Sequence, residues 1–419
     1  MTLPRRPRTL PATAGRRRLV VAASVDALGV GLFLPLSFYY FTVTTTLPIA
    51  AIGAVTSAAT LTALLVSPWA GTLTVRHGPK AVAVASNLVT ACGYLGYLFV
   101  HSLPLLFAAV FIVMAGDRLY YAAWPTLVAE IADEGELDAW YALIQAAGAG
   151  SLGIGALVSG VLLAGSDGVL RTLIVINALT SVAAGLVTAS LRLSSGRRQT
   201  APPSGGEAVP DAVGPRPRYR EVLRDHRFVR LLTGQILIAT AWTMPGTFLP
   251  LYLVRTLHLP AWYAMAVFST NYFLLFALQM SLTRLVRRIR RPVVLAIGAA
   301  CFLATAGVIA AAPMAGRGAA FAVILAGIAV YSLGEMLCVP TGNALVAAHA
   351  PDAARGMYMA VFQLTGAIAF GVGPGVVGAL FAVNPRLVLA AVAVFVTLGA
   401  FVFLSVDRPR ALRPGGSDV

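Results

Sequence analysis

Long apolar segments recur along this chain, and they constrain its fold more than any other feature. Each is about 20 residues long, enough for a helix rising about 1.5 Å per residue to cross roughly 30 Å of hydrocarbon. Hydrophobic residues make up 58% of the 419 residues and charged residues only 11%, whereas soluble domains carry about 25% charged residues. The sequence therefore predicts an all-α integral membrane protein. Its twelve predicted spans are 19–41, 48–70, 81–100, 104–130, 139–163, 170–191, 228–254, 262–283, 292–314, 319–348, 357–382 and 386–405.

The positions of the basic residues predict how these spans are oriented. A net charge of +15 suggests nucleic-acid binding at first sight, so the placement of the 31 Lys and Arg residues decides the question. Most of them lie in segments that face the cytoplasm if the N-terminus does, which is the positive-inside pattern. The exceptions are Arg118, Arg171, Arg255, Arg317 and Arg386. We expect a multi-pass plasma-membrane protein with both termini in the cytoplasm. Its basic residues are expected to lie at the membrane surface and not to bind nucleic acid.

A polar segment at 193–227 divides the spans into two sets of six. It is rich in Pro, Gly, Ser and Arg and lacks apolar periodicity before about Tyr219, which is typical of a linker. The predicted organisation is a basic cytoplasmic N-terminus at 1–18, a six-helix bundle at 19–192, a cytoplasmic linker at 193–227, a second six-helix bundle at 228–405 and a cytoplasmic tail at 406–419.

The two sets of spans are internal copies of each other. The pair Gly116-Asp117 matches Gly334-Glu335, and the spans that follow share a series of glycines. Such parallel repeats are related by an axis along the membrane normal. Missing side chains let helices approach closely, so we expect a hinge or sliding surface, with close packing of no functional importance as the alternative. The residues of this expected surface are Gly153, Gly155, Gly371, Gly373 and Pro374.

Several short motifs resemble those of the major facilitator superfamily. The segment "GTLTVRHGPK" (71–80) resembles the signature G-x-L-x-D-R-x-G-R-K, with Val75 and Pro79 where the signature has an acid and a base. Its matching residues include Gly71, Arg76, Gly78 and Lys80, which we place in a cytoplasmic loop motif. In the fourth span, Arg118 resembles an arginine typical of drug:proton antiporters, and the glycine run of the fifth span resembles that branch's antiporter motif. The resemblance implies two pseudo-symmetric six-helix bundles around a cavity lined by helices one, four, seven and ten.

Ionisable side chains lie inside the predicted spans. A charge near a helix centre costs about 2.5 to 3.5 kcal/mol on insertion scales, so we expect these groups to face protein or water and not lipid. We interpret Asp26, Asp117, Glu335 and Arg118 as proton-coupling residues. The alternatives are a structural pair of Asp117 with Arg118, and a structural role for Asp26 as a backbone cap or a partner of that arginine.

Aromatic side chains accompany these acids. Tyr121 and Trp124 follow the fourth-span acid at i+4 and i+7, and Tyr331 precedes the tenth-span acid by one turn. Trp242 lies in the middle of the seventh span. These four residues are the predicted substrate cavity, suited to amphipathic or cationic molecules through apolar contact and cation–π attraction.

The leading hypothesis is a secondary active transporter that exports small amphipathic or cationic molecules in exchange for protons. The alternative is proton-coupled uptake of a small nutrient, which the small number of mid-span Asn and Gln residues makes less favoured. An enzyme is not expected, since H-E-x-x-H and a complete nucleophile elbow are missing from the sequence, and the one lysine, Lys80, is not in a phosphate loop. We therefore expect no catalytic residue, metal or other cofactor, and a monomeric protein whose partners are a small-molecule substrate, protons and the lipid bilayer.

Overall fold

The computed structural model describes residues 17–132, 137–165, 168–191, 222, 224–286, 288–351 and 354–406, and within them every long element is helical. Most of the predicted linker and both terminal segments lie outside these residues. The six helices of the first half are α1 (Arg17–Phe33, then a 3-10 turn Leu34–Leu36 and Ser37–Thr44), α2 (Ile49–Ala63, a 3-10 turn Leu64–Val66 and Ser67–His77), α3 (Pro79–Tyr97), α4 (Leu103–Ile131), α5 (Leu137–Gly165) and α6 (Val169–Ala189).

The second half has the same order of helices. They are α7 (His226–Ala239, a 3-10 turn Thr240–Trp242, a π-helical turn Met244–Phe248 and Leu249–Arg255), α8 (Trp262–Val286), α9 (Arg291–Ala311, ending in a 3-10 turn Ala312–Ala315), α10 (Gly316–His349), α11 (Arg355–Val383) and α12 (Pro385–Val406). Helices α1, α2 and α7 depart from α-helical geometry where prolines fall, because proline cannot donate the i→i−4 hydrogen bond and its ring clashes with the preceding turn. The prolines concerned are Pro35, Pro68, Pro245 and Pro250.

Twelve helices of this described part fit a twelve-span membrane protein. Eleven of them are long and apolar enough to cross a bilayer by length and composition alone. Helix α3 is the remaining one. It packs along both α4 and α6 and returns the chain from the end of α2 to the start of α4, so it crosses the same layer. The predicted all-α, twelve-helix fold is confirmed.

A pair of tyrosine hydrogen bonds reproduces the internal repeat in three dimensions. In the first bundle, the Tyr40 hydroxyl donates to the Tyr97 carbonyl, with 3.4 Å between the oxygens. In the second bundle, the Tyr252 hydroxyl donates to the Ile309 carbonyl at the same distance. In each case the tyrosine follows the proline-broken part of the first helix and reaches the end of the third, so the two halves repeat a contact as well as a helix order.

The two bundles meet along α2–α11 and α5–α8, and a serine lies at each interface. The Ser57 hydroxyl accepts from the Gly375 backbone N–H at 2.7 Å and contacts the Val372 carbonyl at 3.3 Å. In the equivalent interface, the Ser269 hydroxyl donates to the Gly153 carbonyl at 2.8 Å. Both interfaces thus combine a serine hydroxyl from one bundle with the glycine-rich backbone of the other.

These contacts lie toward one end of the molecule. We call the end away from Arg17 and Val406 the outer end and the opposite end the terminal side. At the outer end, the Arg255 guanidinium donates to the Thr42 carbonyl at 2.6 Å and joins the ends of α7 and α1. Since the two serine contacts fall in the outer halves of their helices, this conformation is closed at the outer end. Tyr121, in the terminal-side half of α4, is 64% exposed, which fits a space between the bundles that is open toward the terminal side.

Candidate functional site

The acids of the first bundle lie close to one another. Asp26 on α1 and Asp117 at the midpoint of α4 interact electrostatically, and both are partly exposed. Neither carboxyl group accepts a hydrogen bond from any residue that the structure describes. Two negative charges close together between helices repel each other, and the repulsion grows as water is removed from around them. The arrangement therefore favours a third, positive species between them, either a proton or a charged ligand.

The arginine beside Asp117 points elsewhere. The Arg118 guanidinium lies over the Tyr121 ring, 5.2 Å from its centroid. Consecutive residues on a helix point about 100° apart, since the helix has 3.6 residues per turn. Arg118 still interacts electrostatically with Asp117, but among the described residues no carboxylate lies within 4 Å of its guanidinium. The structural pair that the sequence left open is thus not a direct ion pair in this conformation.

The acid of the second bundle has defined hydrogen-bond partners. The Asn271 amide nitrogen on α8 donates to a Glu335 carboxylate oxygen at 3.2 Å. The Ser332 hydroxyl on α10 donates in turn to the Asn271 amide oxygen at 2.6 Å. Asn271 and Ser332 are buried, whereas Glu335 is partly exposed. Glu335 therefore stands at the boundary between the packed bundle and the space between the bundles.

Of the four predicted cavity aromatics, Tyr121 is the most exposed. The Tyr121 side chain is 64% exposed and interacts electrostatically with Tyr272 of the opposite bundle. Trp242 is partly exposed, and its ring lies 6.2 Å from the Phe370 ring on α11. Side chains from both bundles therefore face the same open space.

The other two aromatic residues are buried inside their bundles, which differs from the prediction. Trp124 stacks on Tyr120, with 5.1 Å between the ring centroids. Tyr331 is 1% exposed and lies 5.1 Å from the Phe302 ring on α9. Tyr331 does interact electrostatically with Glu335, as its helical spacing predicts. The spacing did not show that either residue would be covered by packing.

The repeated glycines divide into two kinds of contact. Gly153 and Gly371 face the opposite bundle, whereas Gly155 and Gly373 face a helix of their own bundle. A Cβ atom on Gly155 would collide with the Leu28 carbonyl of α1, so this position requires a glycine. Pro374 lies on the surface of α11 that contacts the first bundle. Its carbonyl oxygen would collide with a Cβ atom placed on Gly53 of α2.

The signature at 71–80 was predicted to lie in a loop, but most of its residues are helical. Gly71 and Arg76 lie in the last turns of α2, and Lys80 is in the first turn of α3. Only Gly78 turns the chain, with φ of 82°, a conformation that favours glycine. The Lys80 ammonium donates to the Leu191 carbonyl at 2.7 Å. A cation at a helix C-terminus is favourable, so the signature ties the α2–α3 turn to the end of α6.

A further polar cluster joins three helices at the terminal side. Asp225 caps the start of α7, accepting from the backbone N–H groups of Arg227 and Phe228. Its second oxygen contacts the His349 ring nitrogen at 2.7 Å and accepts from the Tyr358 hydroxyl at 3.1 Å. Partial burial raises the pKa of Asp225, but these hydrogen bonds outweigh it and hold the pKa below the usual aspartate value.

Sequence reasoning missed the residues that support Glu335 and join the bundles. Asn271 was visible only as one of a few mid-span amides, on a helix outside the predicted cavity set. The serines had no signal, because an isolated serine in an apolar span resembles any other small packing residue.

Two six-helix bundles with charged groups facing a space that opens at one end define a secondary membrane transporter. The chain belongs to the Major Facilitator Superfamily, whose model matches residues 19–334 and 267–419. No curated protein matches the sequence.

Solved transporters share this fold at low sequence identity. A mutant form of the nucleoside transporter NupG has a TM-score of 0.76 at 14% identity, covering 94% of this chain and 100% of its own. A bacterial homologue of the iron transporter ferroportin in an inward-facing state has a TM-score of 0.73 at 14% identity, covering 94% and 99%. A POT family transporter in complex with 5-aminolevulinic acid has a TM-score of 0.68 at 13% identity, covering 95% and 97%. At these identities the likeness establishes the fold and nothing finer.

Proposed function

We propose that this protein exports small amphipathic or cationic molecules in exchange for protons, as a drug:proton antiporter of the plasma membrane. The observation that carries the proposal is the placement of Asp26, Asp117 and Glu335. They come from both bundles, lie on three different helices and are each partly exposed. The open end of that space is the terminal side, which the basic residues predict to be cytoplasmic.

The cost of a buried charge links the proton to the substrate. When the bundles rock and the space closes, an ionised carboxylate loses its water, and each such charge costs several kcal/mol. Closure is therefore favoured when the acids carry protons or when a cationic substrate neutralises them. Either protons or a cationic substrate would allow the space to close, but the two compete for the same carboxylates. Each conformational change would therefore carry either protons or substrate, and the net result is exchange of one for the other.

The side chains of the first bundle suit an amphipathic cation. Asp26 and Asp117 supply negative charge without a competing hydrogen bond from a described residue, and the exposed Tyr121 ring supplies an aromatic face. Cation–π attraction is worth about 0.5 to 2 kcal/mol, increasing as the site is desolvated. Arg118 now occupies one face of Tyr121, so a bound cation would use the other face or displace the guanidinium.

One feature favours the alternative, proton-coupled uptake of a nutrient. The Arg118 guanidinium has no carboxylate within 4 Å among the described residues, so it is able to bind an anionic group of a substrate. Nucleoside and peptide transporters are among the proteins with this fold. Under this alternative, Arg118 would hold the substrate and the acids would carry the co-transported proton.

Whole cells distinguish the two directions. Cells that express the wild-type chain, cells that express Glu335→Gln and cells without the gene are exposed to a panel of amphipathic cations such as ethidium. Export predicts lower accumulation and greater tolerance only in cells with the wild-type chain. Higher accumulation of the panel in those cells would contradict export and support uptake.

A further inference from the structure

Asn271 and Ser332 form a hydrogen-bonded chain that ends at Glu335. Its three links are the Asn271 nitrogen to Glu335 at 3.2 Å, the Ser332 hydroxyl to the Asn271 oxygen at 2.6 Å, and the Ser332 hydroxyl to the Ile328 carbonyl at 2.8 Å. A serine hydroxyl has one hydrogen. It therefore donates either to Asn271 or to Ile328, and the heavy atoms are placed for both choices.

Each choice fits one protonation state of Glu335. With the carboxylate ionised, the Asn271 N–H donates to Glu335 and the Ser332 hydroxyl donates to the Asn271 oxygen. With the carboxyl protonated, its O–H donates to the Asn271 oxygen, the Asn271 N–H donates to the Ser332 oxygen, and the Ser332 hydroxyl donates to the Ile328 carbonyl. The arrangement with protonated Glu335 contains one more proton, which comes from the space between the bundles. Asn271 and Ser332 neither gain nor lose a proton overall. A half-turn of the Asn271 amide and a rotation of the Ser332 hydroxyl convert one into the other with little movement of heavy atoms.

We propose that Asn271 and Ser332 are positioning residues that switch their hydrogen bonds when Glu335 gains or loses a proton. The pair keeps buried polar groups satisfied in both states, and an unsatisfied one costs about 1 to 3 kcal/mol. Asn271 is 2% exposed and Ser332 is 0% exposed, so water does not readily replace either partner. The proposal deepens the proposed function and rests on it in one respect, which is that Glu335 exchanges a proton.

The hydrogen-bonded chain of Asn271 and Ser332 is the main polar contact of Glu335. Tyr272 on α8 and the Tyr331 and Cys338 side chains on α10 interact with it electrostatically. Among the described residues, no Lys, Arg or His side chain lies within 4 Å of its carboxylate. A proton on Glu335 therefore changes the hydrogen bonding of Asn271 and does not break an ion pair.

The position of Asn271 connects the switch to the bundle interface. Ser269 and Phe273 are two residues away on either side and face α5, where Ser269 binds the Gly153 carbonyl and Phe273 lies against Gly153. Asn271 faces α10 from the other side of the same helix turn. A change in the hydrogen bonds between α8 and α10 therefore occurs on the face of α8 opposite to its contact with the first bundle.

Infrared difference spectroscopy tests the switch. Protein reconstituted in lipid is taken from high to low pH, with the asparagine side chains isotopically labelled. We expect a carboxylic acid band from Glu335, identified by its loss in Glu335→Gln, together with a shift of a labelled amide band that is lost in Asn271→Leu. Ser332→Ala should abolish the amide shift, and Ser332→Thr, which keeps the hydroxyl, should restore it.

The matched control is Gln279→Leu. Gln279 lies on the same helix and donates to the Met336 carbonyl of α10 at 3.3 Å and to the Thr283 hydroxyl. Among the described residues it has no hydrogen bond with Glu335, so this variant should show the wild-type bands. A Glu335 band without any labelled amide shift would overturn the switch while leaving proton exchange at Glu335 intact. The lack of any Glu335 band would instead overturn proton exchange at this residue, and the switch with it.

The same variants separate positioning from folding in a transport assay. Because one hydrogen bond is worth about 1 kcal/mol, Ser332→Ala should slow proton-driven ethidium movement in liposomes about fivefold. Ser332→Thr should recover most of the rate, and Gln279→Leu should match the wild type. Equal slowing by Ser332→Ala and Ser332→Thr would show that the hydroxyl has no part in the mechanism.

Discussion

Asp26, Asp117 and Glu335 all lie within membrane-spanning helices, but their polar neighbours differ. Asp26 and Asp117 interact with each other without a hydrogen bond from a described residue, whereas Glu335 is held by Asn271. The cost of a charge inside the membrane was enough to predict that all three avoid lipid. It was not enough to predict their partners, because Asn271 is far from Glu335 in the sequence and only the packing of α8 on α10 brings them together.

The first prediction concerns Glu335→Gln. An amide keeps the size of the side chain and its hydrogen bond with Asn271 but cannot take up a proton. We expect reconstituted protein to lose substrate movement driven by a pH gradient, while exchange of labelled for unlabelled substrate without a gradient continues. The control is Glu130→Gln, at the exposed terminal-side end of α4. Full gradient-driven transport by Glu335→Gln would remove Glu335 from the coupling mechanism.

The second prediction concerns Arg118. Its guanidinium interacts with the Asp117 charge and with the Tyr121 ring. Arg118→Ala should lower the initial transport rate about two- to fivefold, since a cation–π contact at an exposed ring is worth about 0.5 to 1 kcal/mol. Arg118→Lys keeps the charge and should lose less, although lysine does not reproduce the planar group. If both variants transport at the wild-type rate with normal expression, Arg118 is not part of the site.

At the scale of helices, the breaks and close approaches position the site. Proline interrupts α1, α2 and α7, and the glycines of α5 and α11 let neighbouring backbones approach. Helix α11 stays continuous around Pro374, and the backbone N–H of the next residue, Gly375, donates to the Ser57 hydroxyl of the other bundle. A backbone group of one bundle thus helps to hold the two bundles together.

The third prediction follows from these serine contacts. In Ser57→Ala, the Gly375 N–H loses its acceptor only while the outer end is closed, so closure becomes less favourable. At about 1 kcal/mol for each hydrogen bond, Ser57→Ala and Ser269→Ala should each shift the ratio of conformations about fivefold toward outer opening.

Spin labels attached at Thr46 and Ala261, near the outer ends of α1 and α8, measure this shift as a longer distance population. Ser405→Ala is the control, because within the described part of the chain the Ser405 hydroxyl donates to the Val402 carbonyl of its own helix. An unchanged distance distribution in both interface variants would mean that these hydrogen bonds do not stabilise the closed outer end.

The fourth prediction concerns the pH dependence of the Asp225 cluster. The pKa of Asp225 is lower in the folded protein than its ordinary value of 3.8. Its hydrogen bonds therefore contribute stability that is fully present above pH 3.8 and is lost as the pH falls through the lower, folded value.

Thermal unfolding of wild type and Asp225→Asn in detergent measures this effect. The variant should be less stable by about 1 kcal/mol near neutral pH, because a hydrogen bond to a charged group is worth about 1.5 to 3 kcal/mol and solvent screens this partly exposed carboxylate. The difference should close as the pH falls below 3.8, where the wild-type carboxyl also becomes neutral. A difference that stays constant through that range would show that the carboxylate charge contributes nothing.

At the scale of the whole molecule, duplication made much of the fold predictable. The apolar segments predicted the number of helices, and matching pairs such as Asp117 with Glu335 and Gly153 with Gly371 predicted their grouping into two copies. The boundary of α2 was less predictable, because the polar end at Gly71–His77 continues the helix beyond the apolar run that marked the span. Accessibility was the least predictable property: Tyr121 and Tyr331 have similar relations to an acid, yet one is exposed and the other is covered by Phe302.

In the proposed exchange, a substrate moves in one direction as protons move in the other. Both movements can be followed in liposomes that contain the purified protein, ethidium and a pH indicator in the lumen, with the pH lower outside. We expect ethidium to leave as protons enter, and we expect reversal of the pH gradient to reverse both movements. Ethidium movement that ignores the gradient, or that runs in the same direction as the protons, would rule out antiport.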